Sequence, residues 1–204
     1  VGSVIVITSG KGGTGKTSLT GGVGASLALL GKQVLCLDGD VGLRNLDITL
    51  GMTDAALMDF SDVMAGRCDL SRAAVPHPTV SGLHLLTAPL TLPGDFPGEA
   101  GFQALLQQAR EAYDYVLIDS PAGLGPGFRL AVCGADRAIV VAVSDPSSLR
   151  DAQRVVTQLS QLETIHLVVN RVRPRLLRRQ NTTIDDAMDT AGLPLLGLVP
   201  EDPK

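Results

Sequence analysis

Tryptophan is absent from this 204-residue chain, and aromatic residues make up only 3% of it. A core must therefore be assembled from Val, Leu, Ile and Ala, which favours parallel strands buried under helices on both faces. Cysteine is scarce as well. Cys36, Cys68 and Cys133 are odd in number and lack CxxC spacing, which leaves no disulfide framework and points to a reducing cytosol. Cys36 sits inside an apolar stretch, where a buried free thiol is expected. His77, His84 and His166 are isolated and without metal-ligand spacing, so structural roles are expected for them. No apolar run approaches the roughly 18 residues of a spanning helix, and the first residues read as a strand and not as a signal peptide. A net charge of −4 gives no global attraction to nucleic acid.

What is present alternates. Apolar strand patterns fall at Val4–Thr8, Gln33–Asp38, Leu83–Thr87, Tyr115–Asp119, Ala138–Val143, His166–Asn170 and Leu195–Val199, with helical spacing near 16–30, 55–65, 98–112, 127–134, 146–162 and 184–191. Such alternation predicts an α/β fold, a doubly wound, mostly parallel sheet with helices on both faces. The Pro/Gly-rich stretch from Ala88 to Gly98 reads as a surface loop, so one domain over 1–204 is expected.

The densest signal is Gly10-Lys11-Gly12-Gly13-Thr14-Gly15-Lys16-Thr17, which fits GxxxxGK[ST] between a strand and a helix opening at Ser18. Backbone N–H groups of such a turn, together with the helix dipole, form an anion site. Lys16 is expected on the β- and γ-phosphates of a nucleoside triphosphate and the Thr17 hydroxyl on Mg²⁺.

In doubly wound sheets ligands bind beyond the carboxyl ends of the strands. Asp38 and Asp40 end the second strand, Asp119 the fourth, and Asn170-Arg171 the sixth. Mg²⁺ keeps most of its waters, so Asp119 is expected near them. If period 2 persists at Asp38 and Asp40, both point the same way, one toward the cation's waters and the other toward the attacking water. Lys11 follows the first glycine of the loop. It reads either as a lysine reaching a second nucleotide across a two-fold interface or as a solvated charge.

Lys11 to Thr17 is similar to the deviant phosphate loop of the MinD/ParA ATPases. The stretches Asp38-Gly39-Asp40-Val41-Gly42-Leu43-Arg44-Asn45-Leu46-Asp47, Asp119-Ser120-Pro121-Ala122-Gly123, Ser147-Ser148-Leu149-Arg150-Asp151 and Pro200-Glu201-Asp202 resemble the MinD branch, in the same order. The resemblance implies an ATP hydrolase binding ATP or ADP with Mg²⁺, dimeric when ATP is bound. Lys11 would contact the partner subunit's nucleotide. Asp40 would orient water, and Asp119 would serve as the second switch carboxylate. Asn170 would read the adenine edge, with Arg171 beside it and Pro200, Glu201 and Asp202 near the base. It further implies a surface at Arg150 and Asp151 for the division inhibitor MinC, with Gln153 departing from the acidic residue usual there. A topological or activating factor is also implied.

Family members continue into an amphipathic helix that lies on the membrane. This sequence is expected to lack those last helices and the anchor, so that its protein is cytoplasmic, and peripheral to the inner face of the membrane only through such a helix. Arg171, Arg173, Arg175, Arg178 and Arg179 form a basic run. DNA binding, as in the ParA partition branch, is the alternative it raises, but a solvated loop beside the nucleotide is expected and DNA is not. A flagellar-number regulator of the same superfamily would carry similar motifs.

Overall fold

The computed structural model describes residues 1–175, 177 and 183–202. Its eight strands form one sheet in the order β3-β4-β2-β5-β1-β6-β7-β8. They are β1 (Ser3–Thr8), β2 (Val34–Asp38), β3 (Val75–Pro76), β4 (Leu83–Leu86), β5 (Tyr115–Asp119), β6 (Arg137–Val143), β7 (Thr164–Val172) and β8 (Leu195–Pro200). All neighbours pair in parallel except the two-residue β3, which runs antiparallel to β4. Strands β2 and β5 are Val/Leu/Ile-rich and almost wholly buried, as expected of strands covered on both faces.

Two apolar layers flank the sheet. On one side α1 (Lys16–Leu29) and the short α2 (Leu46–Thr49) cover Cys36, Leu83, Leu85, Leu117 and Ile139. On the other, α3 (Phe60–Met64), α4 (Leu70–Ala73), α5 (Gly98–Ala112), α6 (Pro126–Val132), α7 (Pro146–Thr157) and α8 (Ile184–Ala191) bury Phe60, Phe102, Leu105, Phe128, Leu149 and Ala187. Phe60 packs edge-on against Phe102 at 5.5 Å, so the few aromatics are concentrated where α3 meets α5. Each such side chain taken fully out of water contributes about 2 kcal/mol.

Expectation and structure differ locally. The helix expected over 55–65 begins only at Phe60, because Asp59 and Asp62 form a capping box that fixes its start. The helix expected to reach 162 stops at Thr157. Neither α2, α4 nor β3 has enough residues to leave a periodic pattern. Arg178 and Arg179 lie outside the described residues. Cys36, Cys68 and Cys133 are free, and burial, with Asp119 nearby, pushes the Cys36 thiol up to about 12.

Since the central strands are parallel, the carboxyl ends of β1, β2, β5, β6, β7 and β8 share one rim. In register, Asp119 pairs with Ile7 of β1 and with Asp38 of β2. The sheet thereby places both carboxylates beside the loop that leaves β1.

Candidate nucleotide-binding site

The loop from Ser9 to Gly15 joins β1 to α1. Gly13 and Gly15 adopt φ of 77° and 92°, backbone that only glycine takes without strain. A Cβ on Gly12 or Gly13 would meet nothing within 4 Å, which leaves open space over the loop. No side chain caps α1 at Gly15, so its first-turn N–H groups are available to an anion. On Gly15 itself a Cβ would lie 2.2 Å from Asn170 Nδ2. Gly15→Ala is therefore expected to weaken nucleotide binding about tenfold or more and to lower the melting temperature. Fluorescent-nucleotide titration and thermal unfolding check both effects.

Lys16 opens α1 and is only 8% exposed. Burial lowers its pKa, opposed by the charges of Asp119 and Asp40, so a buried cation faces two carboxylates. Asp119 is 2% exposed, and its Oδ1 has no hydrogen-bond partner among the described residues. Burial lifts its carboxyl to about 7, against the opposing hydrogen bond from Thr17; Asp38 and Asp40 push further up and Lys16 down. Asp40, past the end of β2, is half-buried. Its carboxyl is raised by burial and lowered by Lys16.

Asp38 behaves differently from the expectation that it points with Asp40. The strand ends at Asp38, so period 2 does not extend to Asp40. Asp38 is wholly buried; Oδ1 accepts the Asp40 N–H at 2.9 Å and Oδ2 the Leu46 N–H at 3.1 Å. It closes the loop over 39–46 and lies close enough to Asp119 to push that carboxyl up. The intervening Gly39 approaches β5 so closely that a Cβ would lie 2.9 Å from the Asp119 carbonyl oxygen.

Asn170 is tied to the phosphate loop as well. Its Nδ2 donates to the Thr14 carbonyl at 2.7 Å, and its Oδ1 accepts from the Arg171 N–H at 2.9 Å. The side chain thus anchors the phosphate loop to β7 and keeps one amide hydrogen for another acceptor. Arg171, Arg173 and Arg175 are exposed, and Arg173 forks onto Glu201, with Nη2 2.8 Å from Oε1. Pro200 ends β8, and Glu201 and Asp202 follow it on the same rim.

Lys11 Nζ lies 2.9 Å from Asp145 Oδ2 and 3.2 Å from Ser147 Oγ. Asp145 caps α7 by accepting the Ser148 N–H. At Gly10 a Cβ would come within 2.4 Å of the Asp151 carbonyl oxygen, so α7 packs directly on the loop. The sequence reading missed Asp145, although Asp-Pro at a helix start is a cap signature that marks it.

The arrangement suits a phosphate ester with a hard divalent cation. The partnerless Asp119 Oδ1 beside the Thr17 hydroxyl supplies hard oxygen donors. Among the described residues no group of three His, Cys, Asp or Glu could hold an ion by itself. A cation here would have to draw its remaining ligands from phosphate and water, as Mg²⁺ does.

Residues 5–204 match the family described as the CobQ/CobB/MinD/ParA nucleotide binding domain. The septum site-determining protein MinD of Synechocystis sp. is 41% identical over 204 residues, which are 98% of this chain and 77% of that protein. Among solved structures, the MinC:MinD cell division protein complex of Aquifex aeolicus matches at 39% identity and a TM-score of 0.91, over 99% of this chain and 82% of that one. MinD complexed with Mg-ADP from Pyrococcus horikoshii is 30% identical with a TM-score of 0.84, over 100% of this chain and 83% of that one. With its phosphate loop at the head of α1, a family match over residues 5–204 and about 40% identity to MinD proteins over nearly its whole length, this chain belongs to the MinD family.

Proposed function

We propose that this protein is a MinD-type ATPase in which residues 1–204 form one catalytic domain, and that ATP binding brings two copies together in a switch that places the division site. The observation that carries the reading is the burial of Lys16 close enough to feel the charge of Asp119, whose Oδ1 is without a partner among the described residues, beside a helix with uncapped N–H groups. In this reading Gly10 to Gly15 cradle the phosphates, Lys16 neutralises the β- and γ-oxygens, and Thr17 and Ser18 complete the first turn. Thr17, with Asp119 and Asp40 acting through waters, would hold Mg²⁺, which when bound would supply neutralisation of charge on the transferred phosphoryl group. Asp40 orients the attacking water and accepts its proton. The base sits near Asn170, Arg171, Pro200, Glu201 and Asp202, with the spare amide hydrogen of Asn170 toward its edge.

Lys11 reaches across the interface to the partner subunit's nucleotide. To do so it must exchange Asp145 for phosphate. The Lys11–Asp145 pair is 34% and 45% exposed, and exposed pairs contribute at most about 1 kcal/mol, so a polyanion displaces it readily. The face of α7 at Arg150 and Asp151 then serves the division inhibitor MinC, with an activating factor completing the cycle. Attachment of the dimer to the inner face of the membrane is peripheral. No described helix is long and apolar enough to cross a bilayer.

Lys11→Ala tests the switch. It is expected to bind ATP with Mg²⁺ and remain monomeric by light scattering at concentrations where the wild type dimerises. A variant that still dimerises with ATP removes Lys11 from the interface.

A further inference from the structure

We infer that the Arg44 guanidinium, docked on the Thr87 hydroxyl, positions Asp40 for hydrolysis; the inference rests on the role given to Asp40 above. Arg44 has φ of 48°, left-handed backbone that a long side chain avoids unless its surroundings impose it. The surroundings here are specific. Arg44 Nη2 donates to Thr87 Oγ1 at 2.7 Å. Thr87 is 1% exposed, directly follows β4, and its Oγ1 also lies 3.4 Å from the Met58 carbonyl oxygen.

The same residue closes the turn that carries Asp40. The N–H groups of Leu43 and Arg44 both donate to the Asp40 carbonyl, at 3.2 and 3.4 Å. Asp38 holds the two ends of the loop through Asp40 and Leu46, and Gly42 N–H donates to the Pro89 carbonyl at 3.1 Å. The Asp38 contacts tie Asp40 back to β2. The Arg44–Thr87 contact ties the outer half of the loop across to the end of β4. With both, the Asp40 peptide is fixed from two strands.

Stability alone does not account for Arg44. Among the described residues it has no carboxylate in an ion pair, and its buried Nε has no partner. An incompletely satisfied cation on strained backbone is a cost a surface loop avoids. Position supplies the reason, because displacing a catalytic group by about 1 Å slows chemistry up to about 100-fold.

The test compares Arg44→Ala, Thr87→Val, Thr87→Ser and the Arg44→Ala/Thr87→Val double variant. Turnover, KM for ATP, melting temperature and amide exchange across 39–46 in the nucleotide-free protein are measured for each. Arg44→Ala and Thr87→Val are expected to lower kcat about tenfold with KM within about twofold, and the double variant to be no slower than the worse single one. Thr87→Ser, which keeps the hydroxyl, is expected to restore kcat. Exchange at Asp40 and Leu46 is expected to quicken in the first two variants. Unchanged kcat or unchanged exchange overturns the clamp, as does a Thr87→Ser variant as slow as Thr87→Val. A loss of kcat that follows the melting temperature across the series also overturns it. Asp40→Ala is the control: wild-type turnover there overturns the role of Asp40 itself, whereas inactive Asp40→Ala with fully active Arg44→Ala overturns only the clamp.

Discussion

Asp40→Ala is expected to lower ATP turnover by about 100-fold or more while nucleotide affinity and ATP-dependent dimerisation persist. A group that takes a proton from attacking water contributes roughly 10²- to 10⁴-fold, and removal of an interaction made only in the transition state lowers kcat without raising KM. Asp40 has the right environment for this. It lies past β2, half-buried, and burial raises its carboxyl above the ordinary range while Lys16 pulls it back. A raised carboxyl is a better proton acceptor than a free one. The phosphate cradle does not depend on it, since Gly13, Gly15 and Lys16 are placed by β1 and α1. Steady-state kinetics with and without Mg²⁺, paired with nucleotide titration, check the result. Turnover at the wild-type level removes Asp40 from the mechanism, and a parallel loss of affinity makes its role ground-state binding.

The phosphate loop and the ends of the strands were legible in the sequence because each is local. A glycine run between an apolar strand and a helical pattern leaves few alternatives, and Asp119 closes four apolar residues in a row. The MinD branch was legible through several motifs in order. Side-chain partnerships across the rim were not. Asp38 and Asp40 look equivalent in sequence, and only the end of β2 at Asp38 separates a wholly buried loop fastener from a half-buried carboxylate. Asn170 carries no mark of its bond to Thr14, which spans 156 positions. Lys11 gives no sign of Asp145, and Arg44 none of Thr87, because each pair is made by strand order, β6 beside β1 and β4 beside β2. Short elements such as α2 and β3 were missed because four or two residues carry too little period to read.

Asp119→Asn is expected to stabilise the nucleotide-free protein at pH 8, raising its melting temperature by at least about 5 °C, while abolishing Mg²⁺-dependent hydrolysis. The carboxyl is lifted from an ordinary 3.8 to about 7, chiefly by burial, against the Thr17 hydrogen bond, with Asp38 and Asp40 adding repulsion that Lys16 offsets. The folded state therefore holds this proton more tightly than the unfolded state does. The stabilisation this group gives is fully present below about pH 4 and is lost as pH rises toward about 7. Asparagine cannot ionise, so the gain should grow between those limits, level off above pH 7 and vanish near pH 4. Thermal unfolding across that range in the presence of a chelator measures it. Addition of ATP and Mg²⁺ should reverse the order, because the wild type gains ligand-linked stability through Asp119 and the variant does not. A variant with no advantage at pH 8 would mean that Asp119 is not held as a buried carboxylate whose Oδ1 lacks a partner among the described residues. A variant that still gains full stability from ATP and Mg²⁺ would place the cation elsewhere. The stability lost to a buried carboxylate without ligand is, in this reading, what makes the site answer so strongly to one.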